Sequence, residues 1–278
     1  MTDQNISTSP QDALAGLRKW TLERDDESDP GGRVYRDPDG NIYHSITRVL
    51  GATAPPEQKA RLEKWLERPG STQERDSAAK RGTFAHDNAE YVLKTGRKLA
   101  IHAANKRGLW KPGSDGLERA PSALTRWALE KAIQGSPKVN WSAAGYARGL
   151  RSFILERVTA IHACEFSVYH PEMSTAGTCD ALLDIDGKLT ICDWKTSARE
   201  RSEEMLLNYK DQLGAYNYAL RYMTSIQPEA GAIVVARRSG APQVRILTAE
   251  ELAEAEQRFA QRAADYCLGL SRFDQLER

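Results

Sequence analysis

The sequence predicts an α/β protein: a central mixed β-sheet of about five strands flanked by helices, with an N-terminal helical region from about Pro55 to Val158 arching over one face. Three observations predict it. Residues 163–170, 178–185 and 189–194 are short runs rich in Val, Ile, Leu and Cys, bounded by Pro171, Gly177 and Gly187, and read as adjacent strands of a meander. Asp186-Gly187 is a strong hairpin signal between the second and third strands. Segments of helical period precede and follow these strands.

Taken in order, residues 1 to about 10 are rich in Ser, Thr, Asn and Gln and are expected to be unfolded. Helical spacing through Leu14, Leu17 and Trp20 predicts a helix over 12–24, and 25–32 reads as an acidic linker containing Pro and Gly. Residues 33–44 read as a hairpin around Asp37-Pro38-Asp39-Gly40, with Ser45 capping a short helix that ends near Gly51. Pro55 and Pro56 open a helix that Pro69-Gly70 closes, and a further helix spans about 72–95. A loop rich in Gly, Pro, Lys and Ser covers 106–121, helices cover 122–134 and 142–160, and the meander follows. An amphipathic helix over 203–222, strands at 232–236 and 243–247, and a helix to about Leu270 opened by the capping box Thr248-Ala249-Glu250-Glu251 complete the chain. The organisation expected is a leader with a mobile linker over 1–32 and a single domain over 33–278. Within that domain, 33–158 is a hairpin and helical region and 159–278 is the α/β core.

At 278 residues, 40% hydrophobic and 28% charged, the composition is that of an ordinary globular protein. No apolar run approaches a membrane span and the start is polar, so no membrane association and a cytoplasmic location are expected. The net charge of +1 hides local asymmetry, because Glu57 to Lys111 holds 13 Lys and Arg against 7 Asp and Glu. That excess can contact several phosphates, though any one of these lysines can equally belong to a solvated helix face.

The chemistry concentrates on the meander. Period two puts Asp193 and Lys195 on one face and Cys192 and Trp194 on the other, and Glu165 and Asp180 are likewise each preceded by a cysteine expected on a buried face. Asp-x-Lys alone is usually a turn or edge carboxylate; three acids and a lysine on consecutive strands suit phosphodiester hydrolysis. Carboxylates hold hard divalent cations, which neutralise phosphate oxygens and activate water, and a neighbouring lysine can touch that water.

Here the chain resembles the PD-(D/E)xK nuclease superfamily and, within it, the RecB-like exonucleases. The matching motifs are residues 81–86 (Arg-Gly-Thr-Phe-Ala-His), 177–180 (Gly-Thr-Cys-Asp), 193–195 (Asp-Trp-Lys) and 212–216 (Gln-Leu-Gly-Ala-Tyr). Residues 44–50 look like the first motif of the mitochondrial genome maintenance exonucleases and their phage-encoded relatives, with His44 in place of the usual Pro. The resemblance implies a restriction-endonuclease-like core and a metal-dependent DNA exonuclease. It implies that His86, Asp180, Asp193 and the Trp194 carbonyl bind Mg²⁺ or Mn²⁺, with Glu165 serving a second metal or its water shell. Lys195 acts on the attacking water, and Arg81, Gln212 and Tyr216 meet DNA. Glu90 is either a partner of His86 or a solvated acid.

Cys164, Cys179 and Cys192 on core strands, with Cys267 alone in the last helix, do not have the spacing of an iron-sulfur cluster, and none is expected. Among the tryptophans, Trp110 in the basic loop is the foremost candidate to stack on a base, ahead of Trp127 and Trp141, although helical tryptophans are more often core. DNA is the expected partner, single-stranded somewhat favoured, together with a single-strand binding or annealing protein. A DNA endonuclease of the same superfamily and a catalytically silent DNA-end binding module are the alternatives.

Overall fold

The computed structural model describes residues 14, 17, 22–26, 29 and 32–276, with side chains as far as 269. The start expected to be unfolded, and most of the helix expected over 12–24, lie outside these residues. Described Leu14 and Leu17 pack against the core.

Among the described residues the sheet has eight strands rather than about five. They are β1 (Glu23–Asp25), β2 (Val34–Arg36), β3 (Ile42–Ser45), β6 (Val158–His170), β7 (Thr175–Ile185), β8 (Lys188–Ser197), β9 (Ala230–Arg237) and β10 (Gln243–Thr248). Their order is β1-β2-β3-β7-β8-β9-β10, with β6 also paired to β7. The additional three come from the N-terminal segment. Glu23 and Arg24, expected at a helix end, and Asp25, expected to start the linker, form β1 against β2. β3 then joins β7 in parallel through His44↔Thr175 and Ser45↔Ala176. The β8–β9 pair is also parallel and the others antiparallel, which makes the sheet mixed. The β7–β8 turn is the predicted one: Asp186 and Gly187 both have positive φ, 50° and 83°, between the paired Ile185 and Lys188.

Helices cover both faces. On one side α1 (Ile46–Ala52), α6 (Glu203–Met223) and α7 (Ala249–Leu276) bury Val49, Leu213 and Phe259 against Val168, Leu182 and Ile191 of the sheet. On the other, α3 (Ser71–Asn105), α4 (Ser122–Gln134) and α5 (Ala144–Arg157) bury Leu93, Leu129 and Phe153 against Ala181, Cys192 and Trp194. The α3 helix runs ten residues past its expected end at Thr95. Continuing through Gly96 costs about 1 kcal/mol of propensity, which is outweighed because α4 leans directly on that position and Ala100 and Ala104 are then buried beside Ala128. The expected loop at 106–121 contains a small hairpin, β4 (Lys111–Pro112) with β5 (Glu118–Arg119). The helix expected to reach Ala160 ends at Arg157, where β6 starts.

Helix α2 (Pro56–Leu66) stands apart, with no buried residue. It is tied to α6 by a hydrogen bond from Asn208 Nδ2 to Gln58 Oε1 (3.0 Å) and an ion pair between Arg61 and Glu204 (3.3 Å). A second ion pair, Arg68 to Glu74, links its exit to α3.

Two contacts fix α7 beneath α6. A Cβ on Gly214 would come within 2.5 Å of the Ala255 carbonyl carbon, so the helices cross backbone to backbone. Arg262 of α7 donates to Leu50 O (2.6 Å), Thr53 Oγ1 (2.9 Å), Asn208 Oδ1 (2.9 Å) and Asp211 Oδ2 (2.8 Å), latching α1 to α6. We expect Gly214→Ala to cost about 1–3 kcal/mol by overpacking. A urea titration reads this as a lowered midpoint with unchanged slope; an unchanged midpoint would mean that the crossing is looser.

Candidate metal and nucleic-acid site

The site forms where the sheet splays. Pairing of β7 with β8 ends at Ala181↔Cys192, and β8 continues from Asp193 to Ser197 against β9 on its other edge. In the gap, Asp180 Oδ2 accepts the Trp194 N–H at 2.5 Å, replacing a ladder partner. The Trp194 ring is buried against Phe153, edge to face at 6.0 Å, and so anchors β8 as it leaves β7.

Three groups converge on this gap. His86, Glu165 and Asp180 each place a ligand atom so that all three lie within 4.8 Å of one another, and His86 Nδ1 is 3.4 Å from Asp180 Oδ1. His86 comes from α3, which reaches β8 because Gly82, one turn earlier, lies against Thr196. Glu165 has φ 48°, a left-handed conformation that costs about 1–2 kcal/mol for an L-residue. It also interrupts the face alternation of β6: Cys164 packs on the α3 side and Phe166 on the α6 side. The cysteines therefore do not share one buried face. Cys179 belongs to the α6 side and Cys192 to the α3 side.

Asp193 stands outside this triad. Its Oδ2 lies 2.6 Å from Lys195 Nζ, but off the bonding direction, so that this buried oxygen makes no hydrogen bond. Lys195 Nζ in turn sits 5.1 Å above the centre of the Tyr209 ring. Tyr209 was legible only as one residue of an amphipathic face; its place three positions before Gln212, on the same side of α6, was the available signal.

Crowding governs the ionisation. Burial, reinforced by the charges of Asp180 and Glu90, pushes Glu165 up to about 8. Burial pushes Asp193 up to about 6 against the pull of Lys195, with the Asp180 charge adding to the rise. Burial acts the same way on Asp180, but His86, Lys195 and the Trp194 N–H hold it below the usual carboxylate value. Burial also disfavours the charged forms of His86 and Lys195, yet Asp180 outweighs it at His86, and Asp193 with Asp180 outweighs it at Lys195, so both are raised. Carboxylates lifted by their own crowding, an imidazole among them and a buried oxygen with an open lone pair are the conditions a hard divalent cation relieves. These residues fit such an ion.

The remaining candidates divide. Arg81 is half-buried on α3 ahead of His86. Gln212 and Tyr216 are joined, Gln212 Nε2 donating to the Tyr216 hydroxyl at 2.7 Å. Tyr216 is 4% exposed and Gln212 6%, so both lie buried beside the site, with Tyr216 holding Gln212 in place. Glu90 ion-pairs with Lys94 one turn on. Trp110 is spent on packing, its Nε1 donating to Glu118 at 2.7 Å, whereas Trp127 and Trp141 are the exposed tryptophans among the described residues. No helix among the described residues is long and apolar enough to cross a membrane.

A mixed sheet flanked by helices, with acids and a lysine gathered where two strands part, defines a hydrolytic metal-dependent nuclease core. The chain belongs to the PD-(D/E)XK nuclease superfamily, which it matches over residues 57–275. It is 27% identical over 216 residues to mitochondrial genome maintenance exonuclease 1 of Mus musculus, covering 73% of this chain and 52% of that protein. With the Homo sapiens protein of the same name it shares 25% identity over 245 residues, 84% of this chain and 60% of the other. The Xenopus tropicalis protein of that name is 24% identical over 204 residues, 71% of this chain and 49% of the other. The chain thus spans about half the length of the curated relatives it matches. Among solved structures, "Crystal structure of SSO0001" overlaps with a TM-score of 0.27 at 14% identity, over 62% of this chain and 74% of that one, too little to bear on the fold.

Proposed function

We propose that this protein is a divalent-metal-dependent deoxyribonuclease that digests DNA from a free end, with single strands favoured. The observation that carries the reading is the triad of His86, Glu165 and Asp180 beside the buried Asp193–Lys195 pair. Mg²⁺ or Mn²⁺ is the ion we assign, since oxygen donors dominate. When bound, it supplies charge neutralisation at the scissile phosphate and lowers the pKa of water. His86, Asp180, Asp193 and the Trp194 carbonyl are its ligands in this reading, with Glu165 alongside. Lys195, kept protonated by Asp193 and Asp180 and steered by the Tyr209 ring, orients the attacking water and stabilises the negative charge that develops on it. Arg81 and Gln212 hold the phosphodiester backbone, and Tyr216 fixes Gln212.

The preference for a free end rests on the roof. The end of β8 lies between α3, through Gly82 and Thr196, and α6, through Tyr209 and Lys195; α2 joins those two helices across the top. Over 57–80 six exposed Lys and Arg stand against five exposed Asp and Glu, and Arg61, Arg68 and Arg75 are ion-paired, which leaves Lys59, Lys64 and Lys80 as the roof's cations for phosphate. A strand enters beneath it by threading. The motif order shared with phage-encoded relatives supports a role in phage or bacterial DNA replication, recombination or repair, alongside a single-strand binding or annealing protein.

With Mg²⁺ or Mn²⁺, linear DNA should be shortened from its ends, covalently closed circles spared, and the rate should fall steeply as salt rises. Bulky groups on both ends of a linear strand should protect it. Efficient cutting of the blocked strand or of a closed circle would make the site open and the enzyme an endonuclease.

A further inference from the structure

Next to the catalytic lysine lies a cavity of about 330 Å³ between α1, α2 and α6 that the cleavage chemistry leaves unused. We propose that it is a pocket for one unpaired nucleobase, that of a nucleotide adjoining the scissile phosphate. The inference rests on the nuclease reading above and supplies the reason that such a nuclease takes single strands.

The position points to this ligand. Tyr209 and Gln212 belong both to the cavity wall and to the site, Tyr209 beneath Lys195 and Gln212 bonded to Tyr216. A strand whose phosphate reaches Lys195 must therefore pass a neighbouring base or sugar along this wall. The volume lies at the small end of ligand pockets, roughly 300–1,000 Å³. It takes one base with its sugar and is too small for a base pair stacked on its neighbours.

The lining has the chemistry of a base as well. Leu50, Leu62 and the Tyr209 ring offer apolar surface to the flat faces. The edge meets amides that are held in one orientation: Arg262 donates to Asn208 Oδ1, and Asn208 Nδ2 donates to Gln58 Oε1, leaving the Gln58 Nε2 hydrogens for an acceptor on the base. Lys59, exposed and also part of the lining, is suited to the next phosphate. Leu62 is 55% exposed and so is accessible to a base entering the cavity.

The test uses the full chain and end-labelled single strands in which one nucleotide at a time is replaced by a stable abasic residue, with Mg²⁺ or Mn²⁺ present. One position next to the cut should slow cleavage and weaken binding by roughly 10- to 100-fold, the worth of one stacked base, while other positions have little effect. Gly51 lines the cavity, and a Cβ added there meets nothing within 4 Å, so Gly51→Met adds bulk at the cavity wall with no clash at its Cβ. It should slow the intact strand to about the abasic rate and leave the abasic strand unaffected, with an unchanged melting temperature. Normal cutting and binding of every abasic strand overturns the pocket while the nuclease stands. Cleavage of intact strands by Gly51→Met at the unmodified protein's rate overturns the pocket as well. A protein that neither binds nor cuts DNA overturns both the pocket and the nuclease.

Discussion

Asp180→Ala and Asp193→Ala should each abolish cleavage, with a loss of at least about 10,000-fold, as when one member of a catalytic unit is removed. The reasons differ. Asp180 is one of the three groups whose ligand atoms lie within 4.8 Å, and it also holds the Trp194 N–H, so its loss removes a donor and frees the start of the splay. Asp193 carries the buried oxygen with the open lone pair and is the partner of Lys195. DNA affinity should change little in either variant, because the phosphate contacts proposed above come from Arg81, Gln212 and the lysines of the roof. Gel-shift binding and end-label release measured side by side separate the two effects. Near-normal turnover of either variant in Mg²⁺ would put the catalytic centre elsewhere.

Lys195→Ala should slow the chemical step by about 100- to 1,000-fold, the range for removing one positioned donor to developing negative charge. Burial of the ammonium beside two carboxylates and the Tyr209 ring leaves it little freedom, so the effect belongs in the turnover number more than in DNA affinity. The substitution also strips Asp193 of its counter-charge, which offers a second explanation for any loss. A metal titration distinguishes them: if Lys195 acts on the attacking water, saturating Mg²⁺ leaves the defect in place. Full rescue by high metal would show that the lysine serves only to keep Asp193 ionised.

Much of this arrangement is local and so was written in the sequence. Asp186-Gly187 fixes its own turn, and Ser45 caps α1 by accepting from the Arg48 N–H at 3.1 Å. Asp193 and Lys195 share a face because a strand has no other choice. What the sequence did not disclose depends on distant partners. No local pattern says that Asp25 ends a strand, since β1 exists only because β2 lies beside it. The left-handed Glu165 breaks a period that simple alternation assumes to be continuous. Trp110 looked available because its hydrogen-bond acceptor, Glu118, comes from the second strand of a hairpin too short to show a pattern. The cavity beside Tyr209 was invisible for the same reason, as its walls come from three helices.

The parallel seam between β3 and β7 bears on how the chain is made. The Tyr35 hydroxyl meets Thr178, 143 residues further along, and α1 is latched by Arg262 of the last helix. During synthesis the hairpin and α1 leave the ribosome well before either partner exists. Closing so long a loop is an entropic cost that local contacts cannot offset in advance. The hairpin and α1 therefore lack these partners until β7 and α7 have been made, and a chain cut before Arg262 is without the latch that holds α1 beside Lys195. Synthesis of α7 is thus the step that closes this side of the groove.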